Sequence, residues 1–204
     1  MCIRDSRNGA PTLMLFSVVD DRSGVVYQEY ALVYGEDAEA ALRFLFRAMA
    51  PKADSRFEGI PENIQLDGGP VGKSSVFKRV MECLGITVTP HMPAGSDGRR
   101  TTARAKGKVE RPFRTVKEAH ETLYHFHEPA SEEEANRWLA RYIATYNGGD
   151  HRREPHSRID DWLGHLPDGG IRAMCSWERY CAFAREPERR KVGLDCRLTV
   201  AGVT

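Results

Sequence analysis

Residues 12–20, TLMLFSVVD, are apolar almost without interruption. A strand with one wet face alternates apolar and polar residues, so a continuous run of this length reads as a strand buried on both faces. Such a strand demands a packed layer on each side of its sheet. DRSG (21–24) supplies the next turn, and VVYQEYALV (25–33), β-branched and aromatic, reads as a further strand. RNGA (7–10) has turn chemistry of its own and places an earlier strand within residues 2–6. Three short strands joined by tight turns predict an antiparallel meander.

Helical periodicity begins at GEDAEAALRFLFRAMAP (35–51), where Ala38, Ala41, Leu42, Leu45 and Met49 share a face and Pro51 closes the run. A loop over 52–61 leads to a short strand, NIQLD (63–67). KSSVFKRVMECLG (73–85) is expected as a helix stopped by Gly85, and ITVTPHMP (86–93) as a strand broken at Pro90. A glycine- and arginine-rich loop over 94–104 precedes a long helix that opens in AKGKVERPFRTVKEA (105–119) and runs to about Phe126. The order β-β-β-α-β-α-β-loop-α predicts an α/β fold, a mixed sheet flanked by helices. SEEEANRWLARYIATYN (131–147) adds a helix with Ser131 and Glu134 as a capping box. Its Trp138, Tyr142 and Tyr146, at four-residue steps, are expected to pack it on the core. Residues 148–169 read as a linker with a short amphipathic piece, and 170–204 as a second, small β-rich unit, with Trp162 and Trp177 as core residues of linker and unit.

At 204 residues the chain can bury one sizeable core plus a small appendage, and 41% hydrophobic with 29% charged content is that of an ordinary globular protein. No apolar run approaches the roughly 20 residues of a membrane helix, and no secretory signal is evident. Five cysteines without a CxxC pair (Cys2, Cys83, Cys175, Cys181, Cys196) fit reduced cytoplasmic thiols better than disulfides or a zinc site. The opening MCIRDS resembles translated sequencing adapter, and LDCRLTVAGVT stops inside an apparent strand, so a fragment is expected at both ends.

Charge is informative in its distribution. The net charge is +1, yet eight Lys or Arg lie between Arg99 and Lys117 with Glu110 as the sole acid. On a helix, Lys106, Glu110, Arg114 and Lys117 share one face. One carboxylate among cations suits a group that meets a metal beside a polyanion, although a solvated salt-bridged face has the same spacing. Asp67 ends the NIQLD strand ahead of Gly68-Gly69-Pro70, at the strand end where open sheets bind ligands; Asp-Gly is also a common turn pair. GGPVGKSS is not a phosphate loop, because an acid, Asp67, stands where the first glycine is required. His120, His125 and His127 are expected to complement a helix dipole at its end, and Glu118 and Glu121 to be surface acids.

The element order, LDGG and GKVERPFRTVKE together resemble the catalytic core of the retroviral-integrase superfamily, which includes the DDE transposases of bacterial insertion sequences. The resemblance covers residues 1–147 and implies a ribonuclease-H-like fold. HRREPHSRIDDWLGHLP looks like the segment that follows the core in insertion-sequence transposases, with their proline-histidine pattern altered, and 170–204 like the start of the small β-barrel that follows the core in Mu-like transposases. The implied activity is metal-dependent DNA cleavage, then strand transfer by 3′-hydroxyl attack. It needs two Mg²⁺ or Mn²⁺ ions about 3.5–4 Å apart on a few carboxylates. Asp67 and Glu110, 43 residues apart, would supply two of these. The family's first acid lies on the first strand, where Asp5, inside MCIRDS, is the only candidate; Asp20 and Asp21 end the second strand, and a hairpin carries them to the opposite edge. Arg99, Arg100, Arg104, Lys106, Lys108, Arg111, Arg114 and Lys117 would hold DNA phosphates. Double-stranded DNA at element ends and target, a homo-oligomer when full length, a preceding helix-turn-helix domain and a bacterial cytoplasmic, nucleoid-associated location follow from the resemblance, with no membrane partner. Two alternatives stay open: a nuclease of the same fold that does not join, and a decayed or domesticated DNA-binding module without catalysis.

Overall fold

The computed structural model describes residues 11–35, 37–66, 69–90, 110–150 and 155–185. Strands β1 (Thr12–Val19) and β2 (Val26–Val33) form an antiparallel hairpin, in register from Thr12 opposite Val33 to Val19 opposite Val26. The Asp20 carboxylate closes the turn between them, accepting from the Ser23 backbone N–H and hydroxyl at 2.7 Å each, and Gly24 takes a left-handed φ of 72°.

The uninterrupted apolar run of β1 is buried on both faces, as its sequence requires. Met14, Phe16 and Val18 face one hydrophobic cluster, shared with helix α1 (Ala38–Met49), helix α3 (Ser75–Cys83) and helix α7 (Trp177–Ala184). Leu13, Leu15 and Val19 face a second, shared with helix α5 (Glu132–Gly148). The expected first strand at 2–6 lies outside the described residues.

The second pair, β3 (Asn63–Leu66) and β4 (Thr87–Pro90), is parallel, with Leu66 opposite Pro90. Its crossover holds two helices where one was expected over 73–85. Helix α2 (Pro70–Lys73) starts at a proline, and Ser74 breaks the run with extended backbone (ψ 129°), its hydroxyl accepting from the Phe77 N–H to cap α3. Gly85, at φ 66°, ends α3 as expected. Among the described residues the four strands form two two-stranded sheets.

Of the long helix expected from residue 105 to Phe126, the part before 110 lies outside the described residues, and within the described part 110–115 are α-helical (α4). It widens into a π-helical turn at Val116–His120 and tightens into a 3₁₀ turn at Glu121–His125. Helix α5 follows on the expected cap: the Ser131 hydroxyl accepts from the Glu134 N–H, and the Glu134 carboxylate accepts from the Ala130 N–H. Trp138, Tyr142 and Tyr146 do lie on its inward side, Tyr142 and Tyr146 against the second cluster and Trp138 against Tyr124 and His127.

The amphipathic piece of the linker is helix α6 (Arg158–Gly164), where Trp162 packs edge-on to Phe57. Beyond it, residues 170–185 carry no strand. An extended stretch donates from Arg172 to the Leu84 carbonyl and accepts at its own carbonyl from the Ile60 N–H, 2.8 Å away. Helix α7 then inserts Tyr180 into the first cluster, 2% exposed, its hydroxyl donating to the Leu42 carbonyl at 2.9 Å. The physical reason is amphipathicity: Trp177, Tyr180, Cys181 and Ala184 recur at helical spacing and line the α1–α3 groove. Trp177 therefore packs against Phe46 and Tyr180. The remainder of the expected barrel, 186–204, lies outside the described residues.

Candidate metal and nucleic-acid site

Of the acids singled out by the sequence, Glu110 is described. It is the first described residue of α4 and is exposed. The helix turns Pro112, Phe113 and Val116 inward, with Val116 1% exposed in the cluster of Leu15, Tyr30 and Leu139. That burial orients the opposite side, so Glu110, Arg111 and Arg114 face outward together. No described residue pairs with the Glu110 carboxylate, which leaves an oxygen donor open to a cation. Arg114 lies 3.9 Å from Glu118, both side chains largely exposed, a pairing too solvated to tie up the guanidinium. Lys117, half-exposed, stands on the π turn.

Asp67 follows directly on Leu66, the last residue of β3, and lies outside the described residues, as do Asp5, Arg99, Arg100, Arg104, Lys106 and Lys108. The structure therefore places the strand end that precedes Asp67 and the helix that carries Glu110, not the distance between the two carboxylates. Among the described residues no cluster of three or more His, Cys, Asp or Glu side chains could hold a metal ion. Asp20 serves the β1–β2 turn.

Two expectations about the rest of this segment need correction. His120 is not a solvent-facing dipole partner but 5% exposed, sharing a 2.9 Å hydrogen bond with the Tyr124 hydroxyl and tilted against the Tyr142 ring. Burial pushes its imidazole below the ordinary histidine range, against the pull of Glu121. Glu121 is not a bare surface acid, since its carboxylate accepts from the Tyr30 hydroxyl at 2.9 Å. The π turn shifts the helical phase at Val116–His120, which regular spacing cannot anticipate. His125 and His127 are exposed, the latter with its ring tilted against Trp138.

Sequence reasoning also passed over Asn136 and Asn147. Each amide makes a two-way pair with the free edge of β2: Asn136 with the N–H and C=O of Tyr30 (2.7 and 2.9 Å), Asn147 with those of Val26 (3.0 and 2.8 Å). Glu132 accepts from the Leu32 N–H at 2.8 Å. The signal was present: two asparagines 11 residues apart, three turns of one helix, beside its apolar face.

An antiparallel hairpin, a parallel pair with a helical crossover, and helices on both faces make an α/β fold. Comparison with solved structures matches that fold to integrase catalytic cores. The catalytic core domain of BIV integrase matches with a TM-score of 0.55 at 18% identity, over 76% of this chain and 90% of that one. A chain of the simian T-cell lymphotropic virus intasome, solved in complex with PP2A regulatory subunit B56 gamma, matches with a TM-score of 0.55 at 21% identity, over 83% of this chain and 57% of that one. At such identities the likeness is one of fold. No family model matches the chain, and no curated protein sequence does. No described helix is long and apolar enough to cross a membrane.

Proposed function

We propose that this chain is the core of a DDE transposase or integrase of the bacterial insertion-sequence type, a polynucleotidyl transferase that cleaves and joins double-stranded DNA. The observation that carries the reading is the outward-facing Glu110, without a partner among the described residues, beside Arg111 and Arg114 on a helix packed into a fold like that of integrase cores. An exposed carboxylate is the kind of oxygen donor that Mg²⁺ or Mn²⁺ takes. Glu110 and Asp67 would hold two such ions, with a third aspartate from the first strand, for which Asp5 is the placeholder. When bound, the ions activate the attacking water or 3′-hydroxyl and stabilise the leaving oxygen. Arg111, Arg114 and Lys117 would hold the scissile strand by its phosphates beside the carboxylates, and Arg99, Arg100, Arg104, Lys106 and Lys108 would extend that path. The partners are element-end and target DNA and further copies of the chain, and the setting is the bacterial nucleoid.

The test is a nicking and strand-transfer assay on labelled DNA, using protein whose first strand is read from the uninterrupted upstream frame. Mg²⁺- or Mn²⁺-dependent nicking is expected, abolished by Glu110→Gln and by Asp67→Asn. Nicking without joining would place the protein among nucleases. DNA binding that survives both substitutions, without nicking in any variant, would reduce it to a binding module.

A further inference from the structure

The helix that presents Glu110 is held at its far end by a buried polar cluster with no part in the chemistry above. His120 closes the π turn Val116–His120, its ring 5.3 Å from that of Tyr142 on α5 and 5.2 Å from that of Tyr124. Its Nε2 shares a 2.9 Å hydrogen bond with the Tyr124 hydroxyl, and the next residue, Glu121, reaches β2. There Tyr30 donates to Glu121. The extra residue of a π turn is unfavourable in isolation and persists where side-chain contacts hold it. Here the contacts reach two elements, β2 and α5, and Val116, buried one turn before His120, couples them to α4.

We propose that His120 is a positioning residue and a pH-sensitive pin: while neutral it locks the π turn against Tyr124 and Tyr142 and so fixes the helix that carries Glu110, and its protonation frees that helix. The consequence for catalysis rests on the function proposed above; the conformational part does not. The groups that face the imidazole are Tyr124 and Glu121 of its own segment, Tyr142 of α5 and, one contact away, Tyr30 of β2. Glu121 would favour an imidazolium, but its carboxylate already accepts from Tyr30. A cation 5% exposed between tyrosine rings lacks the solvation it has in water, and burial is the larger effect. Because the folded-state pKa is lowered, the unfolded chain takes up the proton first as pH falls. Stability is therefore full above the ordinary histidine range and declines on acidification, with the loss complete below the folded-state value.

The test follows two signals in the 204-residue chain between about pH 5 and pH 8: the His120 ring resonances and the exchange protection of the amides at 110–121. The expected result is loss of protection, about tenfold per unit of pKa lowering, that sets in at the ordinary histidine range and levels off where the folded ring itself titrates. His120→Gln keeps a hydrogen bond for Tyr124 but no titratable ring, so its protection should be flat with pH after correction for intrinsic exchange. Tyr124→Phe should weaken protection already at neutral pH. The same pH dependence in His120→Gln, or a ring that titrates without any change in protection, overturns the proposal. In nicking assays, the acid limb of the wild-type pH profile should vanish in His120→Gln. His120→Ala should raise the metal concentration required by roughly tenfold, as loss of groups that orient a metal ligand does. Absence of nicking at every pH, with the exchange results as expected, would refute the catalytic reading and leave the pin intact.

Discussion

Asn147 shows how much one side chain can decide. At 6% exposure its amide completes both the N–H and the C=O of Val26, the start of a strand whose outer edge would otherwise lie unpaired against α5. Asn147→Ala should lower unfolding stability by about 2–4 kcal/mol, because it strands a buried donor and a buried acceptor at once. Asn147→Asp should cost a similar amount: it keeps the acceptor for the Val26 N–H but turns a second acceptor on the Val26 carbonyl. Denaturant unfolding with an unchanged m-value would verify both, and a loss below about 0.5 kcal/mol, the range of ordinary surface substitutions, would contradict the edge role. The candidate site differs in kind at this scale. Glu110 was legible because its charge environment is written in adjacent residues. His120 was not, because its neighbour Tyr142 comes from another element and a π turn alters the phase of its own.

Elements were legible where period and punctuation agree. Helix α1 has Asp37 accepting from the Glu39 N–H at one end and, at the other, Ala50 in extended backbone ahead of Pro51. Its C-terminus carries a further device. The Lys52 ammonium donates to the carbonyls of Ala48 (2.7 Å), Ala50 (2.9 Å) and Arg47 (3.3 Å), satisfying groups that a helix end leaves open. Lys52→Met should lower thermal stability by about 1–2 kcal/mol, since charged donors to backbone acceptors are lost while the aliphatic stem is kept. An unchanged melting temperature would mean that water replaces the ammonium without penalty. The long helix was legible in outline only. Charge pattern and apolar spacing set its path from residue 110 to His125, whereas its division into α, π and 3₁₀ turns answers to what Val116 and His120 pack against.

Across the whole molecule, the post-core segment closes the structure. Tyr180 joins the cluster of Met14, Phe16, Leu42 and Phe77, and Arg79 reaches the carbonyls of Phe183 and Ala184 at 3.0 and 2.8 Å. Arg158 lies 4.0 Å over the Tyr146 ring and donates to the Tyr146 carbonyl, while Asp161 meets Arg22, His156 and His165 beside the hairpin turn. A chain ended after Gly169 should therefore lose cooperative unfolding, and a chain ended after Arg185 should keep it. Tyr180→Ala should cost about 3–5 kcal/mol, the range for removing a buried aromatic ring. Circular-dichroism melts and limited proteolysis separate these outcomes, and a stable, cooperative chain ending at 169 would show the segment to be an independent attachment.

By itself the sequence determined what nearest neighbours enforce: the doubly buried β1, the hairpin turn, the capped ends of α1 and α5, and the strand end ahead of Asp67. Each is set by side-chain period or turn chemistry within a few residues. Tertiary structure decided where distant segments meet: Asn147 on Val26, Tyr180 on Leu42, His120 between Tyr124 and Tyr142. Contacts between residues 121 and 138 positions apart leave no local periodicity to read, because shape and leftover hydrogen-bonding capacity select them only after the chain has collapsed.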